Sequence, residues 1–346
     1  MRKIATITFH WAVNYGAVLQ AYALQKYLLL RGVQTQIIDY VPRRSQLGRI
    51  FFAIKKRDRL FFKKRKRLRD FCEQELKMSK KTYRSNRALF DCADHYDAVI
   101  CGSDQIWNEN FTNGAEGKPT FSYYLNFVGK NTKKIAYAVS FGTTKLAEHT
   151  QKNIAPHVKA FDRIAVRENS GKEILKELGV NATVTVDPTL LLTSDIYESL
   201  FENRNFAPAN KVFSYILHDG QITAQKVCRL VQRHFGEKEQ DGCELSIDLR
   251  QWLHDLAKSE FVVTNSFHGS VFALIFHRPF VVLPVENSGM NDRIQTLMSA
   301  FGLCDRIVTS EAEAQAVLQK PIDWETVDTR LLDLRANSEQ YLSEVI

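Results

Sequence analysis

Four polar turns hold the side chains that could do chemistry. In the most informative, a strand-like run Phe261–Thr264 is followed at once by Asn265, Ser266 and His268, and a helix is expected from Gly269 to Phe276. A histidine beside the partial positive end of a helix can give a proton to a bound substrate or take one, although the same ring can also serve packing alone. No Gly-x-Ser-x-Gly elbow marks Ser266 as a nucleophile. Further on, Asn287 to Arg293 forms another polar loop, with Arg293 where a helix starts. Arg167 follows a strand and precedes a helix, a place that suits bidentate binding of a carboxylate or phosphate, or a salt bridge with Glu168. In the turn Gly102–Asn108, Ser103, Gln105 and Trp107 suit contacts to a sugar and Asp104 is a second group for proton transfer, with Asp187 behind it; alternatively Ser103 or Asp104 caps the next helix. Asn14, Tyr15 and Gly16 open the first helix, where backbone N–H groups could cradle an anion or form an ordinary turn. The dinucleotide-binding glycine pattern and the P-loop pattern are both missing.

These turns work only if regular elements hold them. Lys3–Phe9 alternates like a strand, Ala17–Arg31 repeats apolar residues at helical spacing until Gly32, and Thr35–Tyr40 reads as a second strand, so the chain opens with a parallel βαβ unit. The rhythm resumes with strands at 97–102, 134–140, 163–167 and 183–186, a helix over 146–160, and another capped by Asn169 or Ser170. A second run gives strands at 211–217, 261–264 and 280–285, helices at 221–233, 246–258, 269–276 and 291–301, and a last helix from about Trp324. The fold class is therefore α/β, two Rossmann-like domains facing a cleft, with ligands expected at the carboxyl ends of the strands. The divisions are read as 1–188 with a basic helical insertion near 43–80, then 189–325, with 326–346 a helix packing back toward the first domain.

A chain of 346 residues with 45% hydrophobic composition can supply a core to each domain. The first apolar run is interrupted at once by His10, Trp11 and Asn14, so no signal-peptide core is read and the protein is expected to be cytoplasmic. Six cysteines lie scattered without a Cys-x-x-Cys pair and read as reduced structural thiols; no metal-ligand spacing occurs, so no metal is expected. The net charge of +8 is local: Arg43 to Arg69 holds thirteen Lys and Arg against Asp58, an excess of twelve that leaves the remainder about four negative. Aromatic and aliphatic residues such as Phe51, Ile54, Leu60 and Phe62 interleave these cations. That suits peripheral contact with an anionic membrane through 43–71, at its inner face, or a packed insertion with a solvated basic face. With the charge confined to one segment and no recognised motif beside it, nucleic acid is not expected as a partner.

Six segments in register, Thr8–Gln25, Gly102–Asn108, Ala136–Gly142, Val166–Ser170, Val186–Leu190 and Thr264–Gly269, resemble the polysaccharide pyruvyl transferase family, and the likeness runs from Lys3 to about Leu303. The resemblance implies a GT-B-like pair of domains, phosphoenolpyruvate as donor substrate with no further cofactor, and a sugar acceptor on a lipid-linked or nucleotide-linked precursor, on which a pyruvate ketal is built. It implies that His268 is the catalytic histidine and Arg293 a later basic residue, and it matches Arg167 to an arginine after the middle strand. The donor set so expected is Arg167, Arg293, Ser266, Gly269, Asn14, Tyr15 and Gly16, and the acceptor set is Ser103, Gln105 and Trp107, with His268 and Asp104 catalytic. Ser266-Phe267 departs from the Arg-Leu that precedes the histidine in characterised relatives. The alternative that keeps the fold is a glycosyltransferase with a nucleotide-sugar donor.

Overall fold

Strand β1 (Lys3–Ile7) is buried on both faces, as a central parallel strand must be, and it organises the first sheet. In the computed structural model, which describes residues 2–42, 50–51, 54, 58–92, 95–115, 120–217, 222–238, 248–285 and 291–346, β1 pairs in parallel with β2 (Gln34–Ile37) and β3 (Ala98–Cys101). β4 (Lys133–Val139), β5 (Arg163–Val166) and β6 (Thr183–Val184) extend the sheet in the order β2-β1-β3-β4-β5-β6, all parallel. Helix α1 (Tyr15–Leu30) crosses between β1 and β2 and is buried nearly all round. Its Asn14 side chain caps it by accepting from the Ala17 N–H at 3.0 Å.

The basic insertion docks on α1 through few contacts. Helix α2 (Arg59–Glu75) buries only Leu68, Phe71 and Cys72, with Phe71 edge-on to Tyr22 at 6.0 Å. Buried Gln25 then grips the backbone of Lys77 at both ends, accepting its N–H at 2.7 Å and donating to its carbonyl at 2.9 Å. The chain after α2 runs beside β2, with parallel bridges Ile37 to Met78 and Tyr40 to Tyr83. Much of the first half of the basic span, 43–49, 52–53 and 55–57, lies outside the described residues.

The next helices are α3 (Glu109–Ala115), α4 (Glu148–Val158) and α5 (Asn169–Glu177). α5 is not capped by Asn169 or Ser170: its N-cap is Glu168, whose carboxylate turns away to accept from the Phe141 N–H at 3.2 Å. Neither Ser103 nor Asp104 caps α3, because Asn108 stands directly before it and accepts from the Asn110 N–H at 3.0 Å.

The chain divides into two compact units, Met1–Leu191 with Leu334–Ile346, and Leu192–Asp333. The second is built on the parallel sheet β7 (Val212–Tyr215), β8 (Phe261–Thr264) and β9 (Phe280–Val282). Helices α6 (Ile222–His234), α7 (Leu249–Lys258), α8 (Phe267–Ile275), α9 (Asn291–Phe301) and α10 (Glu311–Leu318) belong to it. The helix starts expected at 221 and 246 lie outside the described residues. One core joins Val212, Phe261, Val263 and Val281 to Val227 and Val231 of α6; Trp252 packs edge-on against Phe213, Tyr215 and Phe272. The final helix α11 (Trp324–Ser343) begins in the second unit and ends in the first. There the Tyr341 hydroxyl donates to the Ala136 carbonyl of β4 at 2.8 Å, and Ser338 accepts from the Val186 N–H at 3.0 Å. No helix among the described residues is long and apolar enough to cross a membrane.

Tyr341→Phe removes one buried hydrogen bond without changing shape and is expected to cost about 1 kcal/mol. Urea unfolding of the variant should show a lowered midpoint at an unchanged slope.

Candidate functional site

A continuous polar chain runs across the carboxyl ends of the first sheet. Gln20 of α1 donates to Thr8 Oγ1 at 2.9 Å, Thr8 Oγ1 donates to the Ser103 carbonyl at 3.1 Å, and Ser103 Oγ donates to Asp187 Oδ2 at 2.9 Å. The same carboxylate oxygen takes Arg167 Nη1 at 2.8 Å, while Asp187 Oδ1 accepts from the N–H and hydroxyl of Thr189. Asp104 and Glu168 each stand 3.9 Å from the guanidinium. Burial works against the charge on Arg167, but Asp187, Glu168 and Asp104 outweigh it and raise its pKa.

This arrangement corrects several expectations. Arg167, expected to bind the donor, is 1% exposed at its side chain and is hydrogen-bonded to Asp187, with Asp104 and Glu168 further off, so it ties strand ends together. Asp187 is saturated by Ser103, Arg167 and Thr189 and has no oxygen left for proton transfer. Asp104, expected to take part in proton transfer, adopts φ +82° in a tight turn; its Oδ1 accepts from the Gln105 N–H, and its carbonyl accepts from the Ser140 N–H. Ser103 is sealed, and Trp107 is a core residue that donates to the Tyr123 carbonyl at 3.0 Å and stacks on Tyr124 at 5.1 Å. Neither can touch an acceptor. Gln105 accepts from Asn108 at 2.9 Å, and the two lie over Gly142, where a Cβ would come 2.2 Å from the Gln105 Oε1. Asn14 is spent on capping, Tyr15 lies under the Lys64 ammonium at 3.7 Å, and Gly16 is buried in the first turn.

The second unit gathers a different set. Helix α8 begins at Phe267, two residues ahead of the expected Gly269, because Ser266 is its cap: its Oγ accepts from the Gly269 N–H at 3.4 Å and its own N–H donates to Thr264 Oγ1 at 3.0 Å. His268 therefore lies inside the first turn of the helix. Gly269 permits the close approach of helix and strand, since a Cβ would meet Thr264 Oγ1 at 2.3 Å. The Phe267 ring is the hub, edge-on to His268 at 5.2 Å and 5.9 Å from the guanidinium of Arg293 in α9. His268 and Arg293 thus each border the Phe267 ring, although 25 positions separate them in the chain; they are 7% and 9% exposed. Asn265 Oδ1 accepts from the Leu217 N–H at 2.7 Å, and its buried Nδ2 meets no acceptor among the described residues. Sequence reasoning noted Asn265 only as a polar turn residue; its buried donor becomes apparent once the Leu217 bond fixes the amide.

Two parallel α/β units with polar turns after their strands define a GT-B-type fold, and solved structures agree over nearly the whole chain. An S. aureus MnaA–UDP structure superposes with a TM-score of 0.53 at 11% identity, covering 96% of this chain and 91% of that one. The UDP-GlcNAc 2-epimerase of Methanocaldococcus jannaschii gives 0.51 at 9% identity over 93% of both chains, and that of Neisseria meningitidis bound to UDP-GlcNAc gives 0.50 at 11% identity, covering 98% and 93%. Residues 14–287 match the family described as polysaccharide pyruvyl transferase, and the chain belongs to it. No curated protein matches the sequence.

Arg167→Met should leave the neighbouring carboxylates without their countercharge and cost about 3–5 kcal/mol. Thermal unfolding should place Arg167→Lys between this variant and the parent, because one ammonium cannot reproduce the planar fork.

Proposed function

We propose that the protein transfers pyruvate from phosphoenolpyruvate to a pair of hydroxyls on a sugar of a surface polysaccharide or its precursor, forming a cyclic ketal. The observation that carries this reading is the match of residues 14–287 to the polysaccharide pyruvyl transferase family, and its support in the site is that His268 and Arg293 each border the Phe267 ring at the start of α8. Phosphoenolpyruvate is a small dianion or trianion, and the groups that suit it are a guanidinium, helix N-terminal N–H groups and a neutral amide donor. Arg293, the first turn of α8 and Asn265 Nδ2 supply these chemistries. Ser266 contributes by holding the turn through its cap, and Gly269 by letting the helix start lie against β8.

In this reaction C3 of the enol accepts a proton and becomes a methyl group, leaving an oxocarbenium-like centre at C2. A sugar hydroxyl adds there and loses its proton. The C2–O bond to phosphate then breaks with its electron pair on the phosphate, and a second hydroxyl adds with loss of its proton to close the ring. His268 is assigned the proton transfer and Arg293 the stabilisation of the donor's acid groups.

An acceptor linked to an anionic membrane would suit the insertion, whose exposed apolar residues include Phe51 and Ile54 ahead of α2 and Leu60 on it, beside the cations of that helix. Anionic vesicles should sediment the protein at low salt and release it at high salt; absence of binding at low salt removes this contact.

For the donor, thermal stabilisation by phosphoenolpyruvate and not by nucleotide sugars is expected, and the reverse result would favour the glycosyltransferase alternative. His268→Ala should lower phosphoenolpyruvate-dependent phosphate release about 10²–10⁴-fold while circular dichroism at the assay temperature shows the fold retained. Turnover near that of the parent would remove His268 from the reaction.

A further inference from the structure

A cavity of about 480 Å³ opens in the first unit beside α2, and neither the proton transfer nor the donor assignment uses it. Its floor is the turn after β1, His10 to Val13; its walls are Asp39 and Val41 after β2, the inward side of α2, and the segment Met78–Arg84. The volume lies within the range of small-molecule sites. A three-carbon enol phosphate would leave most of it empty.

The lining sets the ligand's chemistry. Arg65, Lys66, Arg69 and Arg84 face it against two carboxylates, Asp39 and Glu73. Both carboxylates are engaged: Asp39 accepts from Thr82 and faces His10 Nε2 at 3.1 Å, and Glu73 pairs with Arg69 at 3.5 Å. His10 also meets the Thr8 carbonyl through Nδ1, so both of its ring nitrogens are occupied and it acts as a fixed part of the wall. Burial pushes the Cys72 thiol up to about 12, which keeps this wall residue protonated and unreactive. The balance of formal charge is positive in a concave surface, which concentrates anions. Beside the cations stand Trp11 and Phe62, flat apolar surfaces of the kind that take a sugar face or a hydrocarbon chain.

We propose that this cavity receives the phosphorylated end of the acceptor, a sugar phosphate or diphosphate, with Lys66 and Arg84 on the phosphate oxygens and Trp11 and Phe62 against the group attached to it. The assignment rests on the reading that the enzyme acts on a sugar acceptor. A sugar diphosphate can come from a nucleotide-linked or a lipid-linked precursor, and both share the chemistry that the cavity recognises.

Calorimetric titration tests this with inorganic pyrophosphate, a UDP-linked sugar, and a monosaccharide on farnesyl diphosphate. Lys66 and Arg84 are both exposed, so Lys66→Gln with Arg84→Gln leaves the core intact, which an unchanged unfolding midpoint verifies. The parent should bind pyrophosphate and at least one of the two sugar ligands, with affinity falling steeply as salt rises. The double variant should bind at least about tenfold more weakly, a loss of roughly 1.4 kcal/mol. Tighter binding of the UDP-linked or of the farnesyl-linked sugar supports the proposal and identifies the source. Equal affinity in parent and double variant overturns it, as does absence of binding by the parent. Phosphoenolpyruvate is titrated alongside and should bind both proteins equally; weakened binding of that ligand alone would make the cavity a donor site and also overturn the proposal. If pyrophosphate binding responds as expected while no phosphoenolpyruvate-dependent turnover is found, the donor assignment fails and the anion site stands.

Discussion

The first sheet depends on one buried charge. Arg167 pairs with Asp187 after β6 and attracts two further carboxylates that arrive from the ends of strands, Asp104 after β3 and Glu168 beside it after β5. Carboxylates this deep are tolerable only with a partner, and a guanidinium can meet several at once. The cost of dehydrating these groups is offset by their mutual attraction, and the geometry in turn locks the strand ends in register. Ser103 and Thr8 carry the same network to β1, and Gln20 carries it to α1.

With the turns of the first sheet occupied in this way, the strand ends of the two units differ. In the first, polar residues at the strand ends mostly bond one another, and the open space lies to the side, beneath the basic helix. In the second, the end of β8 has a histidine and an arginine arranged about one phenylalanine, with an amide donor close in sequence. Ligand chemistry at the carboxyl ends of strands is the general rule for such sheets.

The strands were legible because parallel strands buried on both faces read as short apolar runs, as Ala98–Cys101 and Phe261–Thr264 do, and the helices between them because apolar spacing and glycine stops are local signals. The family was legible for a similar reason, since its segments coincide with those strand ends. What the sequence could not supply was pairing at long range. Nothing local says that Arg167 meets an aspartate 20 positions later, or that Ser103 meets the same aspartate from 84 positions away. A tryptophan in a polar turn looks like a sugar platform, and only the carbonyl of Tyr123 reveals that the indole of Trp107 points inward. The cavity beneath α2 was equally hidden, because it is assembled from a βα turn, a strand end and an insertion, none of which signals a pocket alone.

The return of the last helix to the first unit has a consequence for synthesis. The first 191 residues contain six strands of one sheet, but the surface of β4 that Tyr341 covers is filled only by a segment beginning at Leu334. A ribosome adding about 5–20 residues per second needs on the order of ten seconds to make the intervening unit. During that interval the nascent sheet is nearly whole but lacks the segment that covers this side of β4.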